Sequence, residues 1–507
     1  MLRLAEIFQD KMMLQREKNV PVWGTADAGA MVKVSIQEVS GETRADTSGS
    51  WHMLLPPLRA SYKEIMEICS ETEKVVLENV AVGEIWVAAG QSNIEFPMCH
   101  EKYFSEEKKN MSKALLRFFD VPEISYEGQK EAFDYSNVGI WREADKAELA
   151  RFSAVGYYFQ KELAASLDVL VGIVGCNWGG TNCCVWMSRE SAEKYGKPWV
   201  EEYKEKWKKL EAEEYWEKQN SIKFNDTGNP AMDAFSCFML PRTPGEEEIK
   251  VFMENDSEGI VSLQELSPKE IPGNLYEHMV KTIAPFAVKG VLWYQGEGED
   301  KLGQPQLYEG MLKALIKDWR KLWKDEALPF LIVQLPAWES WFGLENHGLK
   351  TVRYCQQKAA EETEAVWLCT NSDQGEQYDI HPKEKKTVGQ RLALLARGKI
   401  YGEKILCEAP RAEDICMTGK NRLEISFSNA DGGLEIKGDS LSAMHIFGGE
   451  EELEFSAKTE NNKLILEVEL ADSQPIKLIY ACDKWFQVNL YNQAHLPALP
   501  FEMQLER

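Results

Sequence analysis

The chain has 507 residues, 44% of them hydrophobic and 28% charged, which is enough for two or three packed units with ample apolar material for a core. Its formal net charge of −24 repels nucleic acid and anionic membranes, so neither is an expected partner, and it gives no general attraction for an anionic ligand. No stretch approaches the roughly 18 apolar residues that span a bilayer, and Met1-Leu2-Arg3-Leu4 leads straight into Glu6 and Asp10 without an apolar leader, so a cytoplasmic location is expected.

Residues 1–83 read as a β-rich domain. Apolar residues alternate in Met31-Val32-Lys33-Val34-Ser35-Ile36, as in a half-buried strand, and the turn signal Asp46-Thr47-Ser48-Gly49-Ser50 precedes a second strand at Trp51–Leu55. Short strands with polar turns predict a small sandwich. The pattern changes near residue 84, where Glu84–Ala89 is a continuous apolar strand ending at Gly90. Phe152, Val155, Phe159 and Leu163 mark an amphipathic helix, and the apolar strand Val169–Val174 follows it at once. Val288–Tyr294 is a third buried strand. A helix with Leu307, Met311, Leu315, Trp319 and Leu322 on one side leads into the strand Phe330–Leu335, and a helix near 349–362 precedes Ala365–Cys369. Helices alternating with fully apolar strands predict a parallel sheet covered on both faces, an α/β domain over 84–404. An insertion over about 195–270 interrupts it, beginning with a charged, solvated helix from Glu201 to Asn220. Residues 405–507 return to strands, such as Leu464–Leu470 and Ile476–Tyr480.

Four short blocks carry the chemistry, and each lies just beyond a predicted parallel strand, the edge at which such sheets bind ligands. Gly90-Gln91-Ser92-Asn93 presents a serine where glycine permits a sharp turn. The paired glycines of Trp178-Gly179-Gly180-Thr181 let backbone N–H groups approach a ligand, as an oxyanion hole requires. In Trp293-Tyr294-Gln295-Gly296-Glu297, the Gln295 amide is a candidate oxyanion donor and Glu297 a candidate ligand or orienting carboxylate. In Asp379-Ile380-His381-Pro382, side chains two apart in an extended segment point the same way, so Asp379 is expected to reach a ring nitrogen of His381. Pro382 is expected in the first turn of the helix carrying Val388, Leu392 and Leu395. Asp373 and Glu376 lie on the same loop as alternative partners of the histidine. The 11 cysteines are scattered, and Cys183-Cys184 lacks the spacing of a zinc or redox motif. No His/Cys/carboxylate cluster has ligand spacing, so neither metal nor cofactor is expected.

Together the four blocks resemble the sialate O-acetylesterase family within the SGNH-type hydrolases. Flanking segments fit as well: Met13-Leu14-Gln15-Arg16, Val20-Pro21-Val22-Trp23-Gly24, Gly389-Gln390-Arg391-Leu392-Ala393 and Asn489-Leu490-Tyr491-Asn492. The resemblance covers nearly the whole chain. It implies an α/β fold with a flavodoxin-like SGNH core and N- and C-terminal β-rich, sandwich-like regions, acting as a metal-free, cofactor-free serine esterase on an O-acetylated carbohydrate. O-acetylated sialic acids are the leading substrates. Acetyl-xylan or other acetyl-oligosaccharides are the alternative, and a non-catalytic carbohydrate-binding protein is the alternative of another class. By motif, Ser92 carries over as nucleophile, His381 as base and Asp379 as its partner, with the N–H groups of Ser92 and Gly180 and the Gln295 side chain as oxyanion donors. Asn93, Trp186, Glu297 and Arg353 are the expected substrate contacts, with Trp338 and Trp341 as further stacking candidates. Ile94 stands where the family commonly has Met, and Gly298-Glu299 where it has Ser-Asn, which leaves substrate choice open. A homo-oligomer is compatible with all of this.

Overall fold

A computed structural model of the chain describes residues 1–111, 116–221, 266–341, 344–470 and 474–506. These fall into two compact units, one within residues 1–298 together with 310–330, the other 299–309 together with 331–506. Most of the expected insertion, from 222 to 265, lies outside the described residues.

In the first unit, Arg3–Leu4, Val20–Thr25 and Ser50–Leu55 form one small antiparallel sheet. Met31–Ile36 pairs with Val39–Arg44 and Ser61–Cys69 in another. The alternating sequence of Met31–Ile36 and Ser50–Leu55 appears directly as alternating burial. The larger sheet contains four parallel strands, β1 (Lys74–Gly90), β2 (Leu116–Asp120), β3 (Val171–Asn177) and β4 (Gly290–Tyr294), in the order β2-β3-β1-β4, with Arg142–Glu143 antiparallel at the β2 edge.

Strand β1 joins the two architectures. Its first half pairs antiparallel with Ser61–Cys69, and from Glu84 onward it runs parallel with β3. The change of pattern near residue 84 is therefore a change of surroundings within one strand. Burial alternates at first and becomes complete once both faces are covered. Gly83 sits at the changeover, where a Cβ would stand 2.2 Å from the Leu170 carbonyl. The helix α1 (Ser92–Glu95) follows β1 directly. Helix α2 (Ala154–Leu167), capped by Ser153 Oγ accepting from Gly156 N–H at 3.0 Å, lays Phe159 edge-on against Trp86 of β1. From β1 the chain steps to one side for β3 and to the other for β4, so the carboxyl end of β1 is a topological switch point, the position at which such sheets bind ligands. The charged stretch expected as one helix is two, Lys197–Trp207 and Ala212–Ser221.

The second unit holds most of strand β5 (Phe330–Val333), then helix α3 (Leu349–Glu362), strand β6 (Val366–Cys369) and helix α4 (Lys386–Lys399). The Gln334 N–H donates to the Cys369 carbonyl at 2.9 Å. Helix α4 begins four residues later than the sequence suggested, so Pro382 lies in the loop and not in the first turn. Beyond it, two four-stranded antiparallel sheets share an apolar cluster that includes Ile425, Leu466, Ile446 and Leu478. Among the described residues no helix is long and apolar enough to cross a membrane.

Candidate active site

Strand β1 leaves the sheet at Gly90, whose φ of +137° is a conformation that side chains resist. A Cβ there would lie 2.1 Å from the Tyr294 carbonyl, so glycine is what lets β1 and β4 close together as the chain turns outward. Ser92 follows as the first residue of α1, 3% exposed, with its carbonyl accepting from Phe96 N–H at 2.8 Å. Within this unit three of the four blocks meet. Asn93 Nδ2 donates to Glu297 Oε1. The Gln295 amide nitrogen donates to the Thr181 carbonyl and touches the Gln91 amide, each at 3.2 Å. The same end of Gln91 lies 3.1 Å from Glu297 Oε2 and 3.3 Å from the Gly296 nitrogen. Gln295 and Asn93 are fully buried, so these contacts tie the segments that follow β1, β3 and β4 to one another next to Ser92.

The Trp-Gly-Gly-Thr block is held on both sides. Trp178 N–H donates to the Gly90 carbonyl at 3.1 Å, Thr181 Oγ1 donates to the Trp178 carbonyl at 2.7 Å, and Trp186 Nε1 donates to Thr181 Oγ1 at 2.9 Å. Gly180 adopts φ +71° and is exposed, while Gly179 beside it is buried. Gly179 N–H donates to Glu95 Oε2 at 2.6 Å, and Lys269 Nζ donates to the Gly179 carbonyl at 2.7 Å. Burial, with Asp120 nearby, pushes the Glu95 carboxyl up to about 8, against the pull of Lys269 and the Gly179 N–H. Burial pushes Asp120 up to about 7, with Arg142 and Arg151 opposing.

The fourth block lies in the second unit. Asp379 Oδ1 accepts the backbone N–H of His381 at 2.8 Å, and its Oδ2 lies 2.8 Å from Lys383 Nζ. The carboxylate therefore fixes the local chain and is itself anchored by a buried ammonium. Burial, then the charges of Lys385 and Lys383, hold the His381 ring well below its ordinary pKa. A ring kept neutral in this way can accept a proton at neutral pH. Trp341 stands edge-on to the ring, centroids 5.0 Å apart. Asp373 is committed elsewhere, in a two-pronged pair with Arg391 at 2.6 and 2.7 Å.

The family model for carbohydrate esterases described as sialic acid-specific acetylesterases matches residues 234–397. Sialate O-acetylesterase of the mouse is 26% identical over 461 residues, covering 83% of this chain and 78% of its own length. The human protein is 24% identical over 453 residues, covering 82% and 74%. A solved carbohydrate acetylesterase from Xanthomonas citri superposes with a TM-score of 0.75 and 27% identity over 99% of both chains. The chain is a carboxylic ester hydrolase that resembles the sialate O-acetylesterases.

Two of the expected substrate contacts in this esterase are occupied within the protein. Trp186 is fully buried, edge-on to Trp293 at 6.5 Å, with its carbonyl accepting from Trp319, so it offers no face to a sugar. Arg353 is 1% exposed, its guanidinium 4.6 Å over the Phe486 ring and donating to the Asp483 carbonyl at 3.2 Å, so it ties α3 to the loop between Ile476–Tyr480 and Leu490–Asn492. Burial lowers its pKa to about 10. Trp338 is buried as well, whereas Trp341 is half-buried beside His381. Asn93 and Glu297 bond to each other behind Ser92. Glu95, Lys269 and Lys383 escaped the sequence reading. Glu95 had one signal, its place one helical turn after Ser92; Lys269 had none, because its partner is a backbone carbonyl 90 residues away.

Proposed function

We propose that this chain removes O-acetyl groups from sialic acids through an acetyl-Ser92 intermediate, on a flavodoxin-like SGNH core flanked by sandwich-like β regions. The observation that carries this reading is the convergence behind Ser92, at a sheet switch point, of three separate blocks with the exposed Gly180 beside them. The step β3-β1-β4 across the nucleophile strand supports the core assignment.

In this mechanism His381 takes the Ser92 proton as the hydroxyl attacks the acetyl carbonyl, and the carbonyl oxygen gains negative charge facing the N–H groups of Ser92 and Gly180. His381 then returns the proton to the departing sugar oxygen. It next takes a proton from water as the water attacks the acetyl carbonyl, and gives that proton to Ser92 Oγ as the acetyl C–O bond breaks, which frees Ser92 and acetate. Asp379 holds the His381 backbone and, with Lys383, sets the ring's surroundings. Gln295 serves as a third oxyanion donor only by releasing Thr181 or Gln91, so its main share is to hold the floor of the site. Trp341 is the stacking surface for the sugar. Acetyl-oligosaccharides remain a second reading, favoured by the broader name of the Xanthomonas citri neighbour.

The test is acetate release from a panel of O-acetylated sialic acids and acetylated xylo-oligosaccharides, with Ser92→Ala alongside. The expected outcome is turnover of the sialic acids and a loss of at least about 10³-fold in Ser92→Ala. Near-parental activity in that variant would end the serine mechanism, and turnover confined to xylo-oligosaccharides would move the substrate.

A further inference from the structure

The adjacent glycines of the Gly179-Gly180 turn raise a physical problem for the proposed oxyanion site. The N–H of Gly180 and the C=O of Gly179 belong to one planar peptide and point in opposite directions. Between two glycines, with no Cβ on either side, that plane rotates at little cost by paired changes in ψ of one residue and φ of the next. An unrestrained plane would present its carbonyl to a developing oxyanion about as readily as its N–H. A donor preorganised for charge has to be prevented from turning.

The restraint is present on the opposite edge of the same plane. Lys269 Nζ donates to the Gly179 carbonyl at 2.7 Å, and the neighbouring peptide is fixed by Gly179 N–H donating to Glu95 Oε2 at 2.6 Å. The ammonium also lies 5.7 Å over the Trp178 ring. Its own backbone is anchored. Lys269 sits on the single turn Pro268–Glu270, where Tyr215 OH donates to the Leu266 carbonyl at 3.2 Å and Asn274 Nδ2 donates to the Pro268 carbonyl at 3.1 Å. A charge-assisted bond to a carbonyl is stronger than a neutral one, and it polarises the peptide so that the N–H at the far end becomes a better donor. We propose that Lys269 is a positioning residue of the oxyanion site, whose ammonium fixes and polarises the Gly179–Gly180 peptide so that the Gly180 N–H faces the reacting oxygen. Glu95 assists by holding the preceding peptide. The proposal rests on the reading of Gly180 as an oxyanion donor.

Lys269 acts through a group that matters only once charge has formed, so its removal should lower kcat and leave KM nearly alone. Losing an oxyanion donor outright costs about 10²–10³-fold in kcat, and a positioning residue behind one should cost less, on the order of 10–10²-fold. The experiment compares Lys269→Met, Lys269→Gln and Lys269→Arg with the parent, on uncharged p-nitrophenyl acetate and on an anionic O-acetylated sialic acid, with melting curves. The expected result for Lys269→Met is the same kcat loss on both substrates, KM within about twofold, an unshifted Tm and substantial recovery in Lys269→Arg. An unchanged kcat on both substrates would overturn the proposal. So would a rise in KM confined to the anionic substrate, which would make Lys269 a contact for the substrate carboxylate. If Lys269→Met melts early, Lys269→Gln keeps a neutral donor and carries the same comparison. Ser92→Ala separates the two layers: if it is inactive while the Lys269 variants match the parent, only this inference falls. If Ser92→Ala retains activity, the serine mechanism beneath it falls.

Discussion

Replacing Asp373 by asparagine separates a carboxylate that holds the fold from one that serves the histidine. In the second unit, Asp373 Oδ1 and Oδ2 accept from the two terminal nitrogens of Arg391 at 2.6 and 2.7 Å, and Tyr491 OH adds a third bond at 3.2 Å. Both side chains of the pair are 9% exposed. Burial alone would raise the Asp373 pKa, but the Arg391 hydrogen bonds and charge win and hold it below the usual carboxylate range. Removing one partner of a buried ion pair costs about 3–5 kcal/mol because the other charge is left without compensation. Asparagine keeps one acceptor oxygen, and Arg391 keeps the Thr370 and His495 carbonyls at 3.4 Å, so the cost belongs at the lower end, about 3 kcal/mol. For a unit of this size that is roughly 6–12 °C in Tm. The assay is a melting curve beside kcat on an acetyl ester, measured well below the transition. The expected result is the full Tm loss with kcat within about threefold of the parent. The sign of the pH dependence also follows. A depressed carboxylate pKa gives stability that is present above the unfolded value near 4 and lost as pH falls through the folded value, so parent and variant should converge in acid. An unshifted Tm together with a kcat loss of about 10²-fold would refute the structural role and make Asp373 the partner of His381.

Asp379→Asn should show the opposite balance, with a kcat loss of at least about 10²-fold, because the group it replaces holds His381 and faces Lys383; a smaller loss than in Glu376→Gln would move the role to Glu376. His381 is held well below its ordinary pKa, so kcat/KM should stay level as pH falls past about 6.5 and decline only further into acid, whereas a break at or above about 6.5 would contradict a buried, neutral ring. Gln295→Ala removes a buried amide that donates to Thr181, so a lower Tm should accompany any kcat loss; a kcat loss of about 10²–10³-fold with Tm unchanged would instead make Gln295 a full oxyanion donor. Prolonged chelation should leave the rate unchanged, and activity lost to chelator and restored by zinc would show a metal requirement.

The sequence by itself determined the features that rest on neighbours along the chain. Burial on one face or two sets the period of apolar residues, which is why Met31–Ile36 and Ile476–Tyr480 were legible as strands to the residue. The glycines at positions 90 and 180 announced turns that other residues resist, and the four blocks carried the resemblance to the sialate O-acetylesterases. Tertiary structure alone decided what depends on residues far apart in sequence. It made β1 a single strand shared by two sheets, pairing antiparallel with Ser61–Cys69 in its first half and parallel with β3 and β4 from Glu84 and Trp86 onward. It also delayed α4 until Lys386, since the loop before it is fixed by Asp379 and Lys383 and not by helical bonding. Trp186 and Arg353 look in sequence like any exposed aromatic or cation; packing against Trp293 and Phe486 removed both from reach of a ligand. Lys269 is the extreme case. Its partner is the Gly179 carbonyl, which every residue type possesses, so no side-chain pattern could have marked it before the chain was folded.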